Sequence, residues 1–115
     1  MTGLVQRQWE GYARYHQSRR NLLLHIVFVP LFLAGNVLLI VALAERRWLA
    51  ALAGAVLTGL AIGIQGRGHR EEPVPAEPFT GALNALSRIF LEQWVTFPRF
   101  LLSGAWMRAL RAGDN

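Results

Sequence analysis

Two apolar stretches separated by three polar residues constrain this chain more than any other feature. Residues 22–44 and 48–64 carry no Asp, Glu, Lys or Arg, and only Glu45-Arg46-Arg47 stands between them. At 1.5 Å per residue they make helices of about 34 Å and about 26 Å, long enough to cross a bilayer. Three residues leave no room for anything but an immediate return. The expected fold class is therefore all-α: an integral membrane helical hairpin with flanking interfacial or half-buried helices.

The 115 residues form a single membrane domain over 1–115, in which 53% of residues are hydrophobic. The net charge is +5, and all twelve basic residues are Arg. Such a basic chain invites a nucleic-acid reading. These arginines instead flank the apolar segments, as headgroup contacts do, so no nucleic-acid partner is expected. There is no cysteine, which excludes disulfides, thiolate metal sites and a Cys nucleophile.

Residues 1–20 interleave Trp9, Tyr12 and Tyr15 with Arg7, Arg14, Arg19 and Arg20, as an interfacial helix does. The apolar run starts too late for a cleavable signal peptide. In the first span, Asn21 is the expected N-cap, Pro30 the expected kink, and Asn36 a polar group needing a partner on the second helix. In the second span Gly59 and Gly63, with Gly54 nearby, form a smooth face. The favoured use of that face is contact with the first span; a homodimer seam is the other. Residues 65–78 read as a loop, with Pro73, Pro75 and Pro78 forbidding helix. Residues 79–111 alternate apolar and polar groups at helical spacing and are expected as C-terminal helices broken at Pro98. Ten of the twelve arginines lie outside the turn, which places both termini on the cytoplasmic side.

A hairpin brings the two polar patches at its open end together. The first holds Tyr12, His16, Arg20, Asn21 and His25; the second holds Gln65, Arg67, His69, Arg70, Glu71 and Glu72. All three histidines of the chain lie there. Nine residues of unbroken helix would point His16 and His25 in opposite directions, so a break between 17 and 21 is required. His16, His25 and His69 with a carboxylate from Glu72, or else Glu71, would suit an imidazole-preferring metal such as iron or zinc. Arg20, Arg67 and Arg70 are candidate anchors for a substrate carboxylate. A non-enzymatic alternative is a small membrane protein that binds lipid or a partner helix through its glycine face.

The order Tyr12-x3-His16-x4-Asn21-x3-His25-x4-Pro30, then Gln65-x2-Gly68-His69 and a segment with Glu72, Pro75 and Ala76, resembles a membrane family over roughly residues 9–80. It is the 2-hydroxy fatty acid dioxygenase family, whose fungal members act in converting phytosphingosine to odd-numbered fatty acids. The Phe90–Phe100 block looks like its short bacterial branch, which implies a bacterial inner membrane. The resemblance implies an Fe(II)-dependent α-oxidation, in which a 2-hydroxy fatty acid and O2 give the acid one carbon shorter plus CO2. It implies His16, His25 and His69 as iron ligands, Asn21 and Gln65 as groups orienting the imidazoles, and Tyr12 as a nearby hydrogen-bonder.

Overall fold

The computed structural model describes residues 2–113. They form six helices: α1 (Thr2–Tyr15), α2 (Arg19–Ala44), α3 (Trp48–His69), α4 (Ala82–Leu91), α5 (Phe97–Leu102) and α6 (Ala105–Ala112). A π turn, Glu92–Thr96, joins α4 to α5. There is no strand among the described residues, and the fold is all-α. The helices α2 and α3 are both long and apolar enough to cross a membrane, and they pack closely on each other. Large side chains on their outer surfaces are left exposed, among them Ile40, Leu49, Leu52 and Leu60, as suits a lipid-facing surface.

The turn between α2 and α3 closes with two backbone bonds, Arg47 N–H to Ala42 O at 2.8 Å and Arg46 N–H to Leu43 O at 3.2 Å. Arg46 takes the left-handed conformation (φ 58°) that a helix ending of this kind requires. Small residues set how closely the two helices approach, but not the pair expected. A Cβ on Gly54 would lie 2.6 Å from Leu39 N and 2.9 Å from Gly35 O, and one on Gly35 would lie 2.7 Å from Thr58 Oγ1. A Cβ on Gly59 or Gly63 would meet nothing within 4 Å, so those two glycines face outward rather than toward α2. Asn36 finds its partner on α3, donating to Thr58 Oγ1 at 3.1 Å, and it also accepts from Trp94 Nε1 at 3.0 Å.

Three local features differ from the sequence expectation. The chain breaks at residues 16–18, and Ser18 rather than Asn21 caps α2, its side chain accepting from Asn21 N–H. Helix α3 runs on to His69, so the loop covers 70–81 and His69 is the last helical residue. Pro98 does not end the C-terminal helix. It occupies the first turn of α5, where its missing N–H costs nothing, and the π turn ahead of it closes with Phe97 N–H on Glu92 O.

The core lies at the open end of the hairpin. Tyr12, Leu22, Val29, Phe97, Phe100 and Trp106 form it, joining α1, α2, α5 and α6. Trp106 donates to Leu22 O at 3.0 Å and Arg19 to Leu110 O at 2.8 Å, which docks α6 on the start of α2.

Candidate metal centre

The break after Tyr15 turns His16 back toward α2, so His16 and His25 meet. His69 arrives from the end of α3. The three imidazoles stand nearly perpendicular to one another, with centroids 4.7 to 5.1 Å apart and interplanar angles of 79° to 87°. Glu92, the first residue of the π turn, completes the group. One donor atom from each of His16, His25, His69 and Glu92 lies within 4.8 Å of the others.

The hydrogen bonds of two rings fix which nitrogen is free. His16 Nδ1 lies 2.8 Å from Tyr12 O, and His25 Nδ1 lies 2.9 Å from Asn21 O. A carbonyl only accepts, so each Nδ1 carries the proton and each neutral ring offers its Nε2 lone pair. Both Nε2 atoms and His69 Nδ1 are buried without a hydrogen-bond partner. His16 Nε2 and His25 Nε2 stand 3.2 and 3.3 Å from Glu92 Oε2. Lone pairs facing a carboxylate oxygen at that distance repel unless a proton or a metal ion lies between them. Three orphaned imidazole nitrogens and one carboxylate fit a divalent metal of the imidazole-preferring kind.

Tyr12 supports two of the four donors. Its ring stacks on His16 at 3.8 Å and 10°, and its hydroxyl donates to Glu92 Oε2 at 2.8 Å. Burial, then the Glu92 charge and the hydrogen bond to it, push the Tyr12 phenol well above its usual 10.0, so it stays a donor. Burial by itself would raise the Glu92 carboxyl. With a proton between each Nε2 and Glu92, as the metal-free cluster requires, the hydrogen bonds and charge of the His16 and His25 imidazoles outweigh burial and hold it well below the usual 4.5.

The carboxylate in the group is not the one the sequence suggested. Glu72 accepts hydrogen bonds from Gln17 N–H, Ser18 N–H and Asn21 Nδ2, and Glu71 pairs with Arg20 at 2.8 Å. Both carboxylates are engaged outside the cluster. Glu92 is the single acidic residue between 79 and 113, beside Gln93. That isolation was the signal available, but no spacing rule carries position 92 to position 69. Gln65 pairs with Gln93 by two reciprocal amide bonds of 2.9 Å, a partner that no spacing in the chain points to. Asn21 holds His25 through its backbone oxygen and Glu72 through its side chain. Gly68 makes room for Asn21: a Cβ there would collide with Asn21 Oδ1.

A cavity of about 520 Å3 opens onto the cluster, with His16, His69 and Glu92 in its wall. Leu4, Ile62, Phe79 and Ile89 give it apolar sides, and Gln65 and Gln93 also line it. Its arginines are Arg7 and Arg88, whereas Arg20, Arg67 and Arg70 lie outside it. Arg88 is already committed, donating to Glu77 O at 2.9 Å and Pro78 O at 3.0 Å and stacking over Phe79.

No curated protein and no solved structure gives a significant match. A family model described as 2-hydroxy-palmitic acid dioxygenase Mpo1-like matches residues 3–102. That span takes in every member of the His-Glu cluster and all but the last of the helices around it, and the chain belongs to this family.

Proposed function

We propose that this protein is a membrane-bound, Fe(II)-dependent dioxygenase that shortens 2-hydroxy fatty acids by one carbon. The reaction is R–CH(OH)–COOH + O2 → R–COOH + CO2 + H2O, with the C1–C2 bond broken, C1 leaving as CO2 and C2 oxidised to the new carboxyl. One observation carries this reading beyond the family match: three buried imidazole nitrogens without partners converge with the Glu92 carboxylate. His16, His25, His69 and Glu92 would hold the iron. When bound, iron supplies the redox chemistry with O2 that amino-acid side chains lack.

The remaining work falls to the chain itself. The carbonyls of Tyr12 and Asn21 hold the His16 and His25 rings in the tautomer that presents Nε2. The Tyr12 hydroxyl holds Glu92 in place. The Gln65–Gln93 pair ties α3 to the π turn and thereby keeps His69 and Glu92 on facing elements. The cavity gives the acid a route to the cluster between apolar sides, and it lies at the end of a hairpin able to reach into lipid. A membrane-dissolved substrate would enter without crossing water.

The test is iron content after anaerobic purification in detergent, followed by an assay with 2-hydroxy acids. Wild-type protein is expected to carry one iron per chain and to release CO2. His16→Ala, His25→Ala, His69→Ala and Glu92→Ala are each expected to lose the iron. Wild-type protein without metal would sink the proposal, and zinc in place of iron would redirect it toward hydrolysis. The outward position of Gly59 and Gly63 favours a second, compatible reading, in which this face makes a homodimer contact.

A further inference from the structure

Glu72 is buried, with 8% of its surface exposed, yet it is not one of the four convergent donors. Its Oε1 accepts from Gln17 N–H at 2.6 Å and Ser18 N–H at 3.2 Å. Its Oε2 accepts from Ser18 N–H at 3.1 Å and Asn21 Nδ2 at 2.7 Å. Two of the three partners connect directly to a histidine. Gln17 follows His16 directly, and Asn21 is the residue whose carbonyl receives the His25 Nδ1–H. Glu72 itself closes the turn after α3, its own N–H donating to His69 O at 3.2 Å.

We propose that Glu72 is the positioning residue of the metal centre, a single carboxylate that fixes the three histidine-bearing segments against one another without being a ligand. The inference rests on the metal-centre reading above. The physical case has two parts. Residues 17 and 18 lie where the chain leaves one helix and enters the next, so their N–H groups have no helical partner and would be costly to bury unpaired. The N-terminus of α2 is also the positive end of its dipole, which favours a carboxylate there. One anion therefore satisfies the break that His16 needs in order to face His25. Without it, the Gln17 and Ser18 N–H groups are left unpaired, and the 16–18 segment holds the His16 lone pair on the cluster less firmly.

The experiment uses cobalt(II) as the probe, because its visible bands report ligand type and number, with the full chain in detergent. Glu72→Gln is expected to bind one cobalt with band positions like those of wild type, but with affinity lower by about 10–100-fold in chelator competition. Glu92→Gln is expected to shift the bands. Asn21→Ala removes one arm of the same network and is expected to weaken binding in the same direction with bands unchanged, which keeps the test open if Glu72→Gln does not fold. Unaltered cobalt affinity in a folded Glu72→Gln protein, or in Asn21→Ala, would overturn the inference while leaving the metal centre standing. Bands that shift in Glu72→Gln and not in Glu92→Gln would make Glu72 the ligand and overturn it too. No cobalt uptake by the wild type would overturn the metal-centre reading itself, and this inference with it.

Discussion

Gln65 and Gln93 are both buried and satisfy each other, so neither tolerates losing its partner. Gln93→Leu leaves the Gln65 amide unpaired and is expected to cost about 1–3 kcal/mol. The double change to Leu at both positions is expected to cost less than the sum of the two single ones, read as a thermal-unfolding cycle in detergent. Glu92 supplies a pH prediction for the metal-free protein. Its carboxyl is held below the usual 4.5 in the folded state, so it contributes stability at neutral pH. That contribution is lost as pH falls from the unfolded value through the depressed folded one. The unfolding midpoint of metal-free protein should therefore drop below about pH 4.5, and Glu92→Gln should flatten the drop. An equal acid slope in both proteins would count against this account. At this scale the sequence showed the histidines, because a hairpin has only one open end. It did not show the acid, because Glu92 and Gln93 reach the site through packing of α4 and the π turn, not through chain neighbours.

The elements differ in how tightly they depend on small residues. Gly54 sits where a Cβ would strike backbone atoms of Leu39 and Gly35, and backbone has no rotamer with which to yield. Gly54→Ala is expected to splay the hairpin and cost about 1–3 kcal/mol. Gly59→Ala and Gly63→Ala meet open space and should be neutral or slightly stabilising, since alanine is the better helix former. Comparable losses at all three positions would show that α3 packs through a different face. The sequence pattern pointed to Gly59 and Gly63 through their four-residue spacing. Spacing says only that two glycines share a face, whereas the rotation of α3 about its axis is set by the Gly35–Gly54 contact and the Asn36–Thr58 bond. Pro98 gives a similar lesson. A proline breaks a helix only if nothing absorbs its missing donor, and here the π turn absorbs it.

For the whole molecule, a hairpin that crosses a membrane twice would place α1 and α6 on one side and the Glu45–Arg47 turn on the other. The absence of cysteine makes this directly measurable. Single-cysteine variants Glu45→Cys and Arg108→Cys, both at exposed positions, are expected to react with an impermeant thiol reagent from opposite sides of sealed vesicles. Labelling of both from one side would remove the two-span arrangement. If the outward glycine face joins two copies, Gly59→Leu should abolish a crosslinked dimer while leaving metal content unchanged, because Gly59 does not line the cavity at the cluster and a Cβ there meets no neighbour within 4 Å.

The sequence by itself determined the hairpin, the side on which the polar patches meet, the need for a break between His16 and His25, and the family. These follow from run lengths, helical rotation and the order of a few residues, all local properties of the chain. Only the tertiary structure decided that Glu92 joins the histidines, that Glu72 holds their segments, and that Gln93 answers Gln65. It also decided which glycines touch and which arginines line the cavity. Each of these depends on how α4, the π turn and α5 dock across the open end of the hairpin. That docking is a sum of side-chain contacts between segments far apart in sequence, and no periodicity in the chain encodes it.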